Sequence, residues 1–574
     1  MVSFPFLRGL FRARFQRVVQ SLALGLFLYL LWRAAFPLPG LLFPHDLFLR
    51  MDPLVFLGTT LSAREWISGL WAALIVLAAT LVLGRFFCGY LCPFGATMDF
   101  LEWMFSGKHT RKTKKEAVPP TLPAWLSPRL KYHVLALVLG AGVLGISLVF
   151  FAAPIPLVTR LYGLVVLPVL DAAADFLLML IRPLAGAVGW DGIVFLKLNK
   201  ARFGTQFFVL GFFIALVWAS VRIPRFWCRY LCPAGALFAL FSRRPMLRRH
   251  VSEACVDCGL CARRCPMGAI GADPTATAHT ECVICETCAH VCPVNAVSFP
   301  FRPPRKARDN ASLPATPGRR RFLWSGLSGM GVGLLAMAGL KSPHQAAALE
   351  GLPGLVRPRY LIRPPGAVPE HEFLAKCLRC GECMKACPTN TLQPIWFEAG
   401  FSALFSPTLT PLRGPCEPLC NVCGRVCPSG ALRPLPLYEK QQAKLGTAYI
   451  LHHKCLAWEQ QKECLVCDEV CPYDAIELKR VEGNPVPVPF VTENRCAGCG
   501  FCQNHCPVAV QKAVVVEAMG ALRLSEGSYA EAALAAGLDI RLRNEQQNAA
   551  PVQEWEGAPE TGGDDLPPGF SNPD

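Results

Sequence analysis

Cys255-Val-Asp-Cys-Gly-Leu-Cys-Ala-Arg-Arg-Cys-Pro266 is a cysteine ladder, and the chain repeats it six times. Four copies share the spacing C-x-x-C-x-x-C-x-x-x-C-P: Cys255, Cys258, Cys261 and Cys265; Cys282, Cys285, Cys288 and Cys292; Cys377, Cys380, Cys383 and Cys387; Cys496, Cys499, Cys502 and Cys506. Two copies are stretched: Cys416, Cys420, Cys423 and Cys427 open with three intervening residues, and Cys455, Cys464, Cys467 and Cys471 with eight. Three closely spaced thiolates wrap three iron corners of a [4Fe–4S] cube. The fourth, held by its proline, reaches an iron of the neighbouring cube. Zinc is the competing reading; it favours two C-x-x-C pairs set further apart, and it competes best at the stretched copies, where Cys455 stands apart. The ladders predict six [4Fe–4S] clusters, with these 24 cysteines as metal and cofactor ligands.

Four of the 28 cysteines remain: Cys88, Cys92, Cys228 and Cys232. They occupy two near-copies of one segment, Arg85-Phe-Phe-Cys-Gly-Tyr-Leu-Cys-Pro-Phe-Gly-Ala96 and Arg225-Phe-Trp-Cys-Arg-Tyr-Leu-Cys-Pro-Ala-Gly-Ala236, which match at nine of twelve positions. The membrane-like half is therefore internally duplicated. No thiol is left over for a disulfide framework. Cysteines at i and i+4 share a helix face, so two such pairs are candidate redox or metal thiols; the bland reading is soft packing at a helix end.

Half of the 574 residues are hydrophobic, and apolar runs near 17–32, 67–84, 133–153 and 206–221 approach the roughly 20 residues that cross a bilayer. A shorter, Gly-rich run covers about 322–340. The net charge of +16 is clustered at Arg8, Arg12, Arg14 and Arg17, at Lys108, Arg111, Lys112, Lys114 and Lys115, and at Arg243, Arg244, Arg248 and Arg249. The positive-inside rule puts all three clusters in the cytoplasm, giving four spans with both ends inside. Beside hydrophobic spans, these basic runs argue against a nucleic-acid partner. Residues 161–182 are long and apolar but carry Pro168, Asp171 and Asp175. Two carboxylates are costly in lipid, so the expectation is a re-entrant or interfacial helix on the outer side.

Residues 300–318 read as a proline-rich basic linker. Arg319-Arg320-Arg321-Phe322-Leu323, an apolar run to Leu340 and Ala346-Ala347-Ala348 follow, similar to a twin-arginine export signal. An ordinary fifth span is the alternative, and both put later residues outside. The domain reading is 1–250, a four-span membrane domain; 251–300, a cytoplasmic two-cluster module; 301–350, linker and signal or anchor; 351–525, a periplasmic four-cluster module; and 526–574, a mostly disordered tail, acidic and without Lys or Arg beyond Arg543. The fold class is a membrane α-helical bundle joined to α+β ferredoxin-like modules.

With these motifs in place, residues 1–300 resemble the NapH-type membrane ferredoxins, and residues 319–520 resemble the NapG-type exported ferredoxins. Here the two stand fused, where those families more often encode separate proteins. The resemblance implies a bacterial inner-membrane protein that takes electrons from the quinol pool and passes them to a periplasmic reductase, such as nitrate reductase, or a small cytochrome. Fully ligated clusters leave no open iron for substrate and relay charge. No pterin, flavin or nucleotide fingerprint and no C-x-x-C-H haem site is present, and His133 and His45 do not form a haem-ligating pair in the spans. The chain thus reads as a carrier with quinol-oxidising activity and not as a terminal reductase. Asp171 and Asp175 are candidate acceptors of quinol protons. The alternative function is redox maturation or assembly of a periplasmic metalloenzyme. An iron–sulfur sensor would need an output domain, and none is visible.

Crossed ligation is expected in residues 251–300: Cys255, Cys258 and Cys261 with Cys292, and Cys282, Cys285 and Cys288 with Cys265. In residues 351–525 a nested version is expected. There the ladder of Cys377 exchanges its last cysteine with that of Cys496, and the ladder of Cys416 with that of Cys455.

Overall fold

The computed structural model describes residues 5–34, 43–105, 126–190, 192, 201–271, 273–301, 319–338, 361–397, 399–509 and 511–543. The basic loop 108–115, the linker at 302–318, Ala346-Ala347-Ala348 and the acidic tail beyond Arg543 lie outside the described residues.

Apolar sequence and local capping build a helical bundle. Asp52 accepts the Leu54 N–H at 2.9 Å, and Pro53 fills the first helical position, where its missing N–H costs nothing. Helices Pro5–Arg33, Pro53–Ala63, Ala72–Leu83, Leu130–Val143 and Gln206–Arg222 surround a core containing Phe27, Leu54, Val138, Phe150, Phe213 and Phe238. Among the described residues, two helices are long and apolar enough to cross a membrane, Phe15–Arg33 and Pro154–Ala187.

Two expectations need correction here. The run 133–153 is not one helix: it ends at Val143, turns through Gly145 at φ +84°, and resumes at Val149. Likewise residues 67–84 divide into a 3-10 turn at Ser68–Leu70 and the helix Ala72–Leu83, so helix length does not yield the four expected spans. Of the two forms expected for residues 161–182, the re-entrant one is not seen, because the chain does not fold back there. Helix Pro154–Arg160 continues through a π turn at Leu161–Val166 into Leu167–Val188. The wide turn leads straight into Pro168, which has no N–H to donate.

The bundle lies between two iron–sulfur units. At one end, Arg85 reaches Glu281 at 3.1 Å, the Tyr90 hydroxyl donates to Ile284 O at 3.0 Å, and Met246 N–H donates to Val82 O at 2.9 Å. At the other end, Ser62 Oγ donates to Ala375 O and Lys385 Nζ to Leu31 O, each at 2.8 Å. Arg379 lies 4.0 Å over Phe150, and Phe151 stacks on Phe401. Helix Arg319–Ala338 runs in the same direction as Leu130–Val143. His133 bonds Ser325, a Cβ on Gly140 would strike Gly326 O, and one on Gly329 would strike Leu137 O. Such small-residue contact lets two helix backbones approach closely.

Each iron–sulfur unit is held by short antiparallel pairs. Strands β1 (His250–Val251) and β2 (Val297–Ser298) flank the first unit, with Val251 opposite Val297. In the second, β3 (Leu392–Pro394) pairs with β4 (Pro407–Leu409) between the ladders of Cys377 and Cys416. Strands β6 (Ile476–Lys479) and β7 (Val488–Val491) pair between the ladders of Cys455 and Cys496, and β5 (Thr447–Ile450) closes on β8 (Val514–Glu517) around them. The tail boundary also moves. Helix Tyr529–Ala535 folds back, with Tyr529 fully buried and its N–H donated to Glu439. The ordered unit therefore reaches Arg543, which pairs with Asp468 and Asp474.

Candidate iron–sulfur sites

Short helices place the ladder thiols. In the ladders of Cys255, Cys377 and Cys496, a glycine in the left-handed region precedes a five-residue helix carrying the third cysteine: Gly259 at φ +64°, Gly381 at +88° and Gly500 at +85°. The fourth cysteine then leaves in extended backbone: Cys265, Cys387 and Cys506 have ψ of 113°, 116° and 125°. This carries it away from its own ladder, toward a neighbour.

The cavities show which neighbour. One is lined by Cys282, Cys285, Cys288 and Cys265, as the crossed arrangement requires. A second holds Cys377, Cys380, Cys383 and Cys427. A third holds Cys416, Cys420, Cys423 and Cys387. A fourth holds Cys496, Cys499, Cys502 and Cys471. Cys467 lies within electrostatic reach of Cys455, Cys464 and Cys506. The nested expectation is therefore wrong. Ladders adjacent in sequence exchange their last cysteines, because the β3–β4 and β6–β7 hairpins fold each ladder onto the next.

These cavities fit a [4Fe–4S] cluster. Each gathers four thiols, and backbone N–H groups point at their sulfurs. Ala269 donates to Cys265 Sγ at 3.3 Å, Leu432 to Cys427 Sγ, Ala475 to Cys471 Sγ and Ala448 to Cys496 Sγ, each at 3.4 Å. Such bonds stabilise anionic sulfur and tune cluster potential. Among the described residues, no group of three or more His, Cys, Asp or Glu could hold a single metal ion.

The order of the cavities follows from their contacts. Cys380 and Leu378 belong to the bundle core, so the cavity of Cys377 faces the helices. It shares ladders with the cavity of Cys416. Cys416 in turn meets Cys499, with Tyr473 beside both. The cavity of Cys496 shares ladders with that of Cys455. Four sites therefore stand in file, with the first of them facing the bundle core.

The other candidate residues separate into two places. Cys88 and Cys228 ride on π turns, Phe87–Leu91 and Trp227–Leu231. Cys92 and Cys232 follow each turn, directly before Pro93 and Pro233 at helix starts. All four thiols converge: Cys92 is within electrostatic reach of Cys88, Cys228 and Cys232. Asp171 and Asp175 are half-buried on the long helix and do not join them. Asp171 instead lies within electrostatic reach of Lys385, in the ladder of Cys377. Burial holds that ammonium down to about 8, against the pull of Asp171 and Glu382. Sequence reading missed Arg85 and Arg225, although each opens one of the two duplicated segments; both are buried beside the thiols.

Comparison with known proteins agrees with this chemistry. A "4Fe-4S binding domain" model matches residues 65–112 and 205–252, a second so described matches 249–271 and 374–393, and a "4Fe-4S dicluster domain" model matches 461–510. The methylamine utilization ferredoxin-type protein MauM of Methylorubrum extorquens is 35% identical over 200 residues, covering 34% of this chain and 86% of that protein. MauM of Methylophilus methylotrophus is 37% identical over 170 residues, covering 28% and 71%. The ferredoxin-type protein NapG of Escherichia coli is 35% identical over 214 residues, covering 35% and 85%. No solved structure matches.

Proposed function

The chain belongs to the family of MauM- and NapG-type ferredoxin proteins, and from that premise we propose that it is a membrane-bound carrier of electrons from quinol to a periplasmic acceptor. The observation that carries this reading is the file of three cysteine cavities and a fourth thiol group, which begins against the helical bundle at Cys380 and ends at the ladder of Cys455. Electrons enter at the bundle end and leave at the far end. Each ladder holds one [4Fe–4S] cluster, six in all, with Cys255, Cys258, Cys261 and Cys292 completing the first unit by the same exchange. Residues 1–300 act as the NapH-like half of a fusion, which fixes the chain in the cytoplasmic membrane with residues 251–300 inside and residues beyond 341 outside.

Quinol oxidation needs an electron acceptor and two proton acceptors in one place. Asp171 stands beside Lys385 of the first cavity's ladder, which supports oxidation at that end of the bundle. The acceptor is a periplasmic reductase or small cytochrome. Because relatives are named for methylamine utilization, a partner in an amine-oxidising system is a second reading. The test is anaerobic addition of a quinol to the purified full chain. Bleaching of cluster absorbance that is slowed in Asp171→Asn supports the reading. No bleaching, even with a periplasmic acceptor present, moves the maturation role ahead.

A further inference from the structure

The duplicated segments pose a problem of ligand number. Each segment matched by a 4Fe-4S binding model, 65–112 and 205–252, has only two cysteines outside the ladders. Neither can complete a cluster alone. The fold solves this by interlocking the copies. Arg225 of the second copy donates from Nη1 toward Cys88 O of the first at 3.5 Å, and Arg85 of the first lies within reach of Cys232 of the second. A Cβ on Gly235, three residues after Cys232, would stand 2.8 Å from Arg85 Nη2, which places the guanidinium of the first copy against the helix start of the second. Gly235 N–H donates to Cys232 Sγ at 3.3 Å. Helices Pro93–Phe105 and Pro233–Phe241 thus begin at the thiols, presenting their positive ends to sulfur.

The charges here do not balance without an anion. Arg85, Lys131 and Arg225 are buried against Glu281 and Asp99, three cations facing two carboxylates. Arg85 Nε and Nη2 are buried with no hydrogen-bond partner, and that residue is fully inaccessible to water. Although Nη1 meets Glu281, a buried guanidinium with two nitrogens left without an acceptor is unfavourable. Four thiolates around iron and sulfide carry the missing negative charge.

We propose that Cys88, Cys92, Cys228 and Cys232 together ligate one further iron–sulfur cluster, shared across the internal duplication, with Arg85 and Arg225 as its buried counter-charges. It stands against the ladder of Cys282: Arg225 reaches toward Cys285, and Tyr90, between Cys88 and Cys92, bonds Ile284 O.

The test compares iron and acid-labile sulfide in the full chain, purified anaerobically, with those in Cys88→Ser/Cys228→Ser. The difference is independent of how many ladders are filled, so it fails or stands apart from the carrier reading. A loss of about four iron and four sulfide per chain supports a cubane here, and about two of each a rhombic [2Fe–2S] cluster. Unchanged iron, or loss of zinc with no sulfide, overturns the proposal. Should the double variant not assemble, Cys92→Ser is read instead. A new [3Fe–4S] resonance in the oxidised protein supports a cluster with one ligand removed, and wild-type spectra with wild-type iron overturn it.

Discussion

The backbone N–H of Cys416 donates to the carbonyl oxygen of Cys499 at 2.8 Å, joining the two halves of the larger iron–sulfur unit at their cysteines. Within each half, neighbouring ladders exchange ligands. Between the halves no cavity mixes their cysteines among the described residues, and Tyr473 lines one cavity while lying within reach of Cys416. The relay is two coupled pairs in series.

Exchange between adjacent ladders gives a sharp spectroscopic expectation. Cys427→Ala should perturb the cluster of Cys377, Cys380 and Cys383, and Cys506→Ala that of Cys455, Cys464 and Cys467. Each variant should convert or lose one cluster of six, seen by Mössbauer and EPR spectroscopy. A Cys506→Ala change at the cluster of Cys377 would restore the nested arrangement.

Gly498 sits between two ligands at φ +72°, and a Cβ there would stand 2.6 Å from Gly446 O. Gly498→Ala should cost about 2–5 kcal/mol through left-handed strain and overpacking together. The expected signature is earlier thermal bleaching of cluster absorbance. Equal midpoints for variant and wild type would remove this account.

Glu281 meets both Arg85 and Lys131, whose side chains are completely buried. Glu281→Gln should destabilise docking of the first iron–sulfur unit by about 3–5 kcal/mol, because two buried cations lose their partner. Hydrogen exchange across residues 250–298 measures it. Protection should fall there and hold in residues 361–543.

Topology is tested by reporters placed at the observed boundaries. A phosphatase fused after Arg543 should be active and one after Pro300 inactive. Arg319→Lys with Arg320→Lys should silence the first if the segment is read as a twin-arginine signal. Persistent activity would make helix Arg319–Ala338 an ordinary span.

The ladders were legible because cluster ligation imposes a fixed local spacing, and the same spacing predicted the exchange between Cys265 and the ladder of Cys282. The partners of Cys387, Cys427, Cys471 and Cys506 were not legible. They depend on hairpins of three or four residues per strand, too short to signal their pairing. Apolar runs located helices but not their ends: Gly145 divides one run, while a π turn carries another past Pro168. Arg85 and Arg225 were visible as repeated letters, yet their role arises only when the two copies interlock.

Lys385, Ser62 and Arg379 bolt the first cluster cavity of the larger unit to the bundle. A carrier that must diffuse to its donor works at a rate set by encounter. One held against it works as a single molecule, at an effective concentration fixed by geometry. Delivery into this file of clusters should therefore be first order, unchanged by dilution and little affected by salt, leaving collision with the outside acceptor as the step that responds to both.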